Sequence, residues 1–157
     1  MLPVTTATVR LFLHVLAATV WVGGQLTLGT VIPALRPASA DPDPEAARAR
    51  IRAVARRFQV AAWISFAVLL LTGVWSLAVM HVGDQTGAWL ATLLVKLGCV
   101  AVSGVAAAVH ILVAAPRVRV ATDDVARRKA VAFSGACEGL SVLFAVAALF
   151  LGVLLHG

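Results

Sequence analysis

Lys96, Ser103 and His110 are spaced at seven and seven in an otherwise apolar stretch, and Cys99 follows the lysine by three. On a helix, positions three, four and seven apart share one face. An amine, a thiol, a hydroxyl and an imidazole therefore line up in one stripe. Such groups can hold an anion, ligate a metal ion or pass a proton. A charged side chain in hydrocarbon is costly unless it faces protein, water or a partner. The stripe is thus expected to look into a helical bundle rather than at lipid.

Three further apolar runs carry stripes of their own. His14, Trp21 and Gln25 fall at i, i+7 and i+11; Ser65, Thr72 and Ser76 follow Arg57; Ser134, Glu138 and Ser141 make the last. Depth follows from a rise of about 1.5 Å per residue. His14 is expected roughly 10 Å outward of its run's centre and Lys96 roughly 8 Å outward, so the amine at 96 should meet the imidazole at 14. On the inner side, His110 is expected roughly 13 Å from the centre, Glu138 roughly 7 Å and Gln25 roughly 6 Å. Two polar clusters result, too far apart for His14 and His110 to ligate one ion.

Each residue has a plain role and a chemical one. His14 is either a metal or haem ligand or a hydrogen bonder between helices. Lys96 suits a charge partner for an anion or a cofactor carboxylate, because a protonated lysine cannot ligate a metal. Glu138 either balances His110 or Arg57 or forms a cation or proton site. His110 is either a ligand or a wetted interfacial histidine. His81 would be a ligand at the outer mouth, and His156 is incidental. Cys99 and Cys137 read as small buried hydrophobes, with Cys99 a soft metal donor where a path exists. Stripe serines such as Ser103 read as packing groups. No catalytic triad, phosphate-binding glycine loop or zinc motif occurs, and no catalytic residue is assigned.

The elements that must position these groups follow from composition. The chain has 157 residues, 61% hydrophobic and 13% charged, with a mean hydropathy of +0.98. Soluble domains are about 45–50% apolar and about a quarter charged. The expected fold is an all-α integral membrane protein, a four-transmembrane-helix bundle forming a single domain over residues 1–157. The spans are expected at about 8–33, 58–80, 87–115 and 131–155, with loops at 34–57 and 116–130. The first run is too long for the apolar core of a signal peptide and has no small-residue cleavage site. The net charge of +6 gathers in those two loops, which explains it by topology rather than by nucleic acid. The positive-inside rule makes both loops cytoplasmic and puts both termini outside. From Glu45 onward a short amphipathic helix on the membrane surface is expected. Trp75 and Trp89 fit the outer interface and Trp63 the inner one, whereas Trp21 falls mid-span. Gly135–Gly139 and Gly104–Ala108 are small-xxx-small spacings, read as packing within the bundle over a homodimer seam.

HVLAATVWVGG at 14–24, RRFQVAAWISFAVLLLTGVW at 56–75, LLVKLG at 93–98 and EGLSVLFAVAAL at 138–149 together resemble the copper-resistance protein D family, one segment per span and in order. The resemblance implies a four-span module in the bacterial inner membrane, a role in copper handling and a periplasmic copper-binding partner. It also implies that His14, the Arg57–Phe58 pair, Lys96 and Glu138 are functional; His110 departs from the pattern. A more distant resemblance is to the four-span, haem-dependent protoporphyrinogen IX oxidases, which likewise combine a span-one histidine and tryptophan with a span-three lysine.

Three readings follow. The first is a copper-binding or copper-transporting protein using His14, His81, Cys99, His110 and Glu138. Cu(I) favours thiolate and thioether donors, with imidazole also suitable; two Met and two Cys supply few of them. The second is a b-type haem protein with His14 as axial ligand and Lys96 or Arg57 facing a propionate. The third is a structural or partner subunit in the lipid bilayer, its stripes merely holding helices together.

Overall fold

The computed structural model describes residues 3–35, 43–80 and 82–155. Among them the only regular structure is helical, and four helices are long and apolar enough to cross a membrane. They form two compact units, Met1–His81 and Val82–Gly157, each an antiparallel pair of long helices.

In the first unit, helix α1 spans Thr6–Ala34. Thr5 caps its start, its hydroxyl accepting from the Thr8 amide at 3.2 Å. Inside the run, Thr19 and Thr27 donate to the Val15 and Gly23 carbonyls at 2.9 and 2.8 Å. These bonds satisfy hydroxyls that an apolar surrounding would otherwise leave costly. Pro33 lies in the last turn, where the helix ends.

Helix α2 spans Pro44–Val79 without interruption. The surface helix expected from Glu45 is therefore helical, but it is the first part of the same rod and not a separate element. Asp43 caps it, accepting from the Ala46 amide at 2.9 Å, with Pro44 in the first turn. No glycine or further proline occurs until Gly73. Alanine and arginine are strong helix formers, so the change from polar to apolar does not break the ladder.

In the second unit, Thr86 caps helix α3, Gly87–Val109, after a short 3-10 turn at Val82–Asp84. A π turn over His110–Ala114 follows, closed by the Ala115 amide reaching the His110 carbonyl five residues back. Helix α4, Ala115–Val120, continues the rod, giving one apolar stretch of 34 residues from Gly87 to Val120. Pro116 explains the widened turn: it has no amide hydrogen, and its ring crowds the carbonyl four residues earlier. Only 121–123 separate this rod from helix α5, Asp124–Leu154. The expected 116–130 loop is thus mostly helix, because the Asp123 carboxylate caps α5 early, accepting from Ala126 at 2.7 Å.

Large apolar side chains point away from both seams: Ile64, Leu71, Leu94, Leu112, Leu143 and Phe150 are all exposed. Around a soluble helix pair such a surface would drive association. On helices long and apolar enough to cross a membrane, such a surface suits contact with lipid.

Candidate functional site

In the first unit, His14 on α1 meets Thr72 on α2, Nδ1 to Oγ1, at 2.7 Å. The Thr72 hydroxyl also lies 2.7 Å from the Val68 carbonyl oxygen, which can only accept. Its single hydrogen is committed there, so Oγ1 presents a lone pair to the ring. Nδ1 of a neutral His14 therefore carries the proton, and Nε2 carries the lone pair. That is the arrangement of a ligating histidine whose other nitrogen is tied to a neighbouring group. Gly73 lies beside the ring, and a Cβ there would sit in ordinary contact with His14 Cε1 at 3.9 Å.

Two turns along α1, Trp21 is buried and packs on Phe66 and Trp63, with ring centroids at 4.5 and 5.7 Å. Trp63 and Phe66 themselves meet edge to face at 5.7 Å. Trp21 is thus the centre of an aromatic plate, and Trp63 serves that plate as much as any interface. Gln25 is half-buried one turn further on. Beyond it the Phe58 ring occupies the space that a Cβ at Gly24 would need. Arg57, beside Phe58, is exposed. At the opposite end Arg10 stacks over Trp75, with 5.9 Å between guanidinium carbon and ring centroid.

In the second unit, contacts between α3 and α5 recur every seven residues. The Trp89 indole donates to the Leu155 carbonyl at 3.4 Å, Ser103 meets Ser141 at 3.3 Å, and His110 Nδ1 donates to the Ser134 carbonyl at 3.0 Å. Lys96 completes this row, so the stripe expected to face protein does face the neighbouring helix. Ser103 and Ser141 are each only 1% exposed, and Ser141 also donates to the Ser103 carbonyl at 3.0 Å. The α5 side of the seam is made of small residues, including Cys137, Ser141, Ala145 and Ala148, all buried. This allows the close approach that membrane helices use in place of large apolar contacts.

Gly152 makes room for Lys96: its missing Cβ would lie 3.0 Å from Nζ and 3.5 Å from Cε. His110 sits at the first position of the π turn, and its Nδ1 hydrogen goes to a carbonyl, which leaves Nε2 as acceptor in the neutral ring. Ser134 supplies a second contact from Oγ at 3.4 Å.

The expected metal ligands are divided between the two units. His14 belongs to the first unit, while Cys99, His110 and Glu138 belong to the second. Cys99 is buried with a free thiol. It lies eleven residues from His110, roughly 16 Å along the helix axis. Glu138 is half-buried one turn from Ser134, so it stays near His110 and away from Lys96. Among the described residues no three His, Cys, Asp or Glu side chains gather as a metal site. His81 and His156 lie outside the described residues. Gly135 and Gly139 are exposed, with open space where a Cβ would stand, so they are not part of the α3–α5 seam. Thr72 and Ser134, which orient the two histidines, escaped the expected site; their places on the polar stripes were the available signal.

No protein-family model, no curated protein and no solved structure matches the chain.

Proposed function

We propose that the chain is a multi-pass protein of a bacterial inner membrane that binds or passes copper. In this reading the two helix pairs assemble into a four-helix bundle with both termini on the periplasmic or extracellular side. His14 is the principal donor of the first unit, and Lys96 is the cation that the second unit offers. The observation that carries the reading is the His14–Thr72 hydrogen bond, which leaves Nε2 of the neutral ring with its lone pair. The resemblance of four ordered segments to the copper-resistance protein D family supplies the metal. Cys99, His110 and Glu138 are separate stations, not one chelate. Cargo that must leave again needs sites weak enough to release it, and single-donor stations meet that requirement.

A second reading is b-type haem binding. It is favoured by the absence of any three-donor cluster among the described residues, because haem iron asks the protein for as few as one axial nitrogen. His14 would supply that nitrogen, and Lys96 or Arg57 would face a propionate.

One experiment separates these. The purified protein is analysed for metal and by visible spectroscopy, beside His14→Ala. Colourless protein that holds copper in stoichiometric amount, and loses it in the variant, supports the first reading. A Soret band that disappears in the variant supports the second. Neither signal in wild-type protein overturns both and leaves a structural subunit.

A further inference from the structure

Where α4 turns into α5, the surface carries cations that neither metal reading uses. A cleft of about 420 Å³ opens there, lined by Arg117, Val120, Ala121, Ala126, Lys129, Ala130 and Phe133. Two cations line it and no carboxylate does. Arg117 stands over the Phe133 ring, 5.5 Å from its centroid, which leaves the guanidinium edge available for hydrogen bonding. The remaining wall is aliphatic or aromatic, and Val120 and Phe133 are exposed. The corner as a whole holds Arg117, Arg119, Arg127, Arg128 and Lys129 against Asp123 and Asp124. Asp123 is already engaged in capping α5.

We propose that this cleft binds the phosphate headgroup of an anionic phospholipid, with Arg117 and Lys129 on the phosphate and Phe133 and Val120 against the first acyl carbons. The inference rests on the membrane-spanning reading of the helices, not on the metal. Two features favour a lipid over free phosphate. The cleft lies where two apolar rods end, which is where headgroups meet a helix that spans. Its walls are also apolar beside the cations, matching a ligand that is charged at one end and greasy at the other. Basic pockets at the cytoplasmic ends of spans recognise such headgroups by this chemistry.

The test uses the full chain purified in mild detergent, with native mass spectrometry of lipid adducts. Phosphatidylglycerol is compared with phosphatidylcholine, for wild type and for R117Q/K129Q. Each lost cation is expected to lower the preference about fivefold, and the pair roughly thirtyfold. A control variant, R50Q/R52Q on the first part of α2, leaves binding unchanged, and Lys129→Arg retains it. Equal retention of both lipids by wild type overturns the proposal, as does equal phosphatidylglycerol retention by R117Q/K129Q. Displacement of the lipid by millimolar glycerol phosphate alone also overturns it, because the site would then be a phosphate site. Metal content is read on the same samples, so a failed copper or haem reading does not touch this result.

Discussion

The imidazole of His14 and the hydroxyl of Thr72 meet at 2.7 Å although 58 residues separate them in the chain. The threonine accepts from the ring only because it donates to Val68 in its own helix, also at 2.7 Å. A backbone carbonyl on α2 thereby sets the tautomer of a histidine on α1.

Replacing Thr72 by valine removes that acceptor while keeping the shape. Affinity for the metal or haem is expected to fall by about 10–100-fold, the usual effect of losing a ligand's orienting partner. Thr72→Ser should retain most of it. Titration of the purified variants with copper or haem gives the affinities, and nitrogen-15 shifts of His14 report the tautomer directly. A valine variant with unchanged Nδ1 protonation would show that Thr72 does not orient the ring.

Gly24 and Gly23 are neighbours with opposite tolerance. A methyl group at Gly24 collides with the Phe58 ring, whereas one at Gly23 meets open space. Gly24→Ala is expected to destabilise the first unit by about 1–3 kcal/mol, as overpacking does. Gly23→Ala should leave stability unchanged or slightly raised. Thermal unfolding in detergent, with helicity as readout, distinguishes the two.

On the other seam, Ser103→Ala removes one hydroxyl contact, and such bonds average only about 0.6 kcal/mol between membrane helices. Ser103→Leu is a different matter, since Ser103 and Ser141 are each 1% exposed and leave no room. The leucine variant is expected to lose about 1–3 kcal/mol. Similar unfolding of both variants would mean that the α3–α5 seam is looser than the register implies.

The π turn holds one residue more than a regular helix would. Deleting exposed Leu112 together with Pro116→Ala should close it to an α turn and keep the flanking faces in place. Deleting exposed Val105 from regular α3 should instead rotate everything beyond it by about 100° and break the His110–Ser134 contact. Amide exchange at residues 110–120 is expected to stay slow in the first variant and to become fast in the second.

Much of this arrangement was legible in the residues. Four apolar runs gave four long helices, and the heptad spacing of Lys96, Ser103 and His110 identified the face of α3 that packs on α5. The stripe containing Thr72 pointed to the seam of the first unit. What escaped has physical causes. Trp21 shares a stripe with His14 and Gln25, but its aromatic partners sit more than forty residues away in the chain, where spacing within one run cannot show them. Hydropathy marks where a chain enters oil, not where its backbone hydrogen bonds stop, so α2 and α5 begin well before their apolar segments. Gly135 and Gly139 have the spacing of a packing motif, yet spacing does not say which face a neighbour occupies. Cys99 stands roughly 16 Å along α3 from His110, as a path of separate donors rather than one chelate requires.

The uninterrupted α2 has a mechanical consequence. Its 36 residues extend roughly 54 Å, against about 30 Å of hydrocarbon. Set in a bilayer, such a rod leaves a stalk of arginines standing in water, coupled without a hinge to the turn that bears Thr72. Any protein or lipid surface that tugs on that stalk tilts the far end as well, so a load applied outside the oil is felt beside the imidazole.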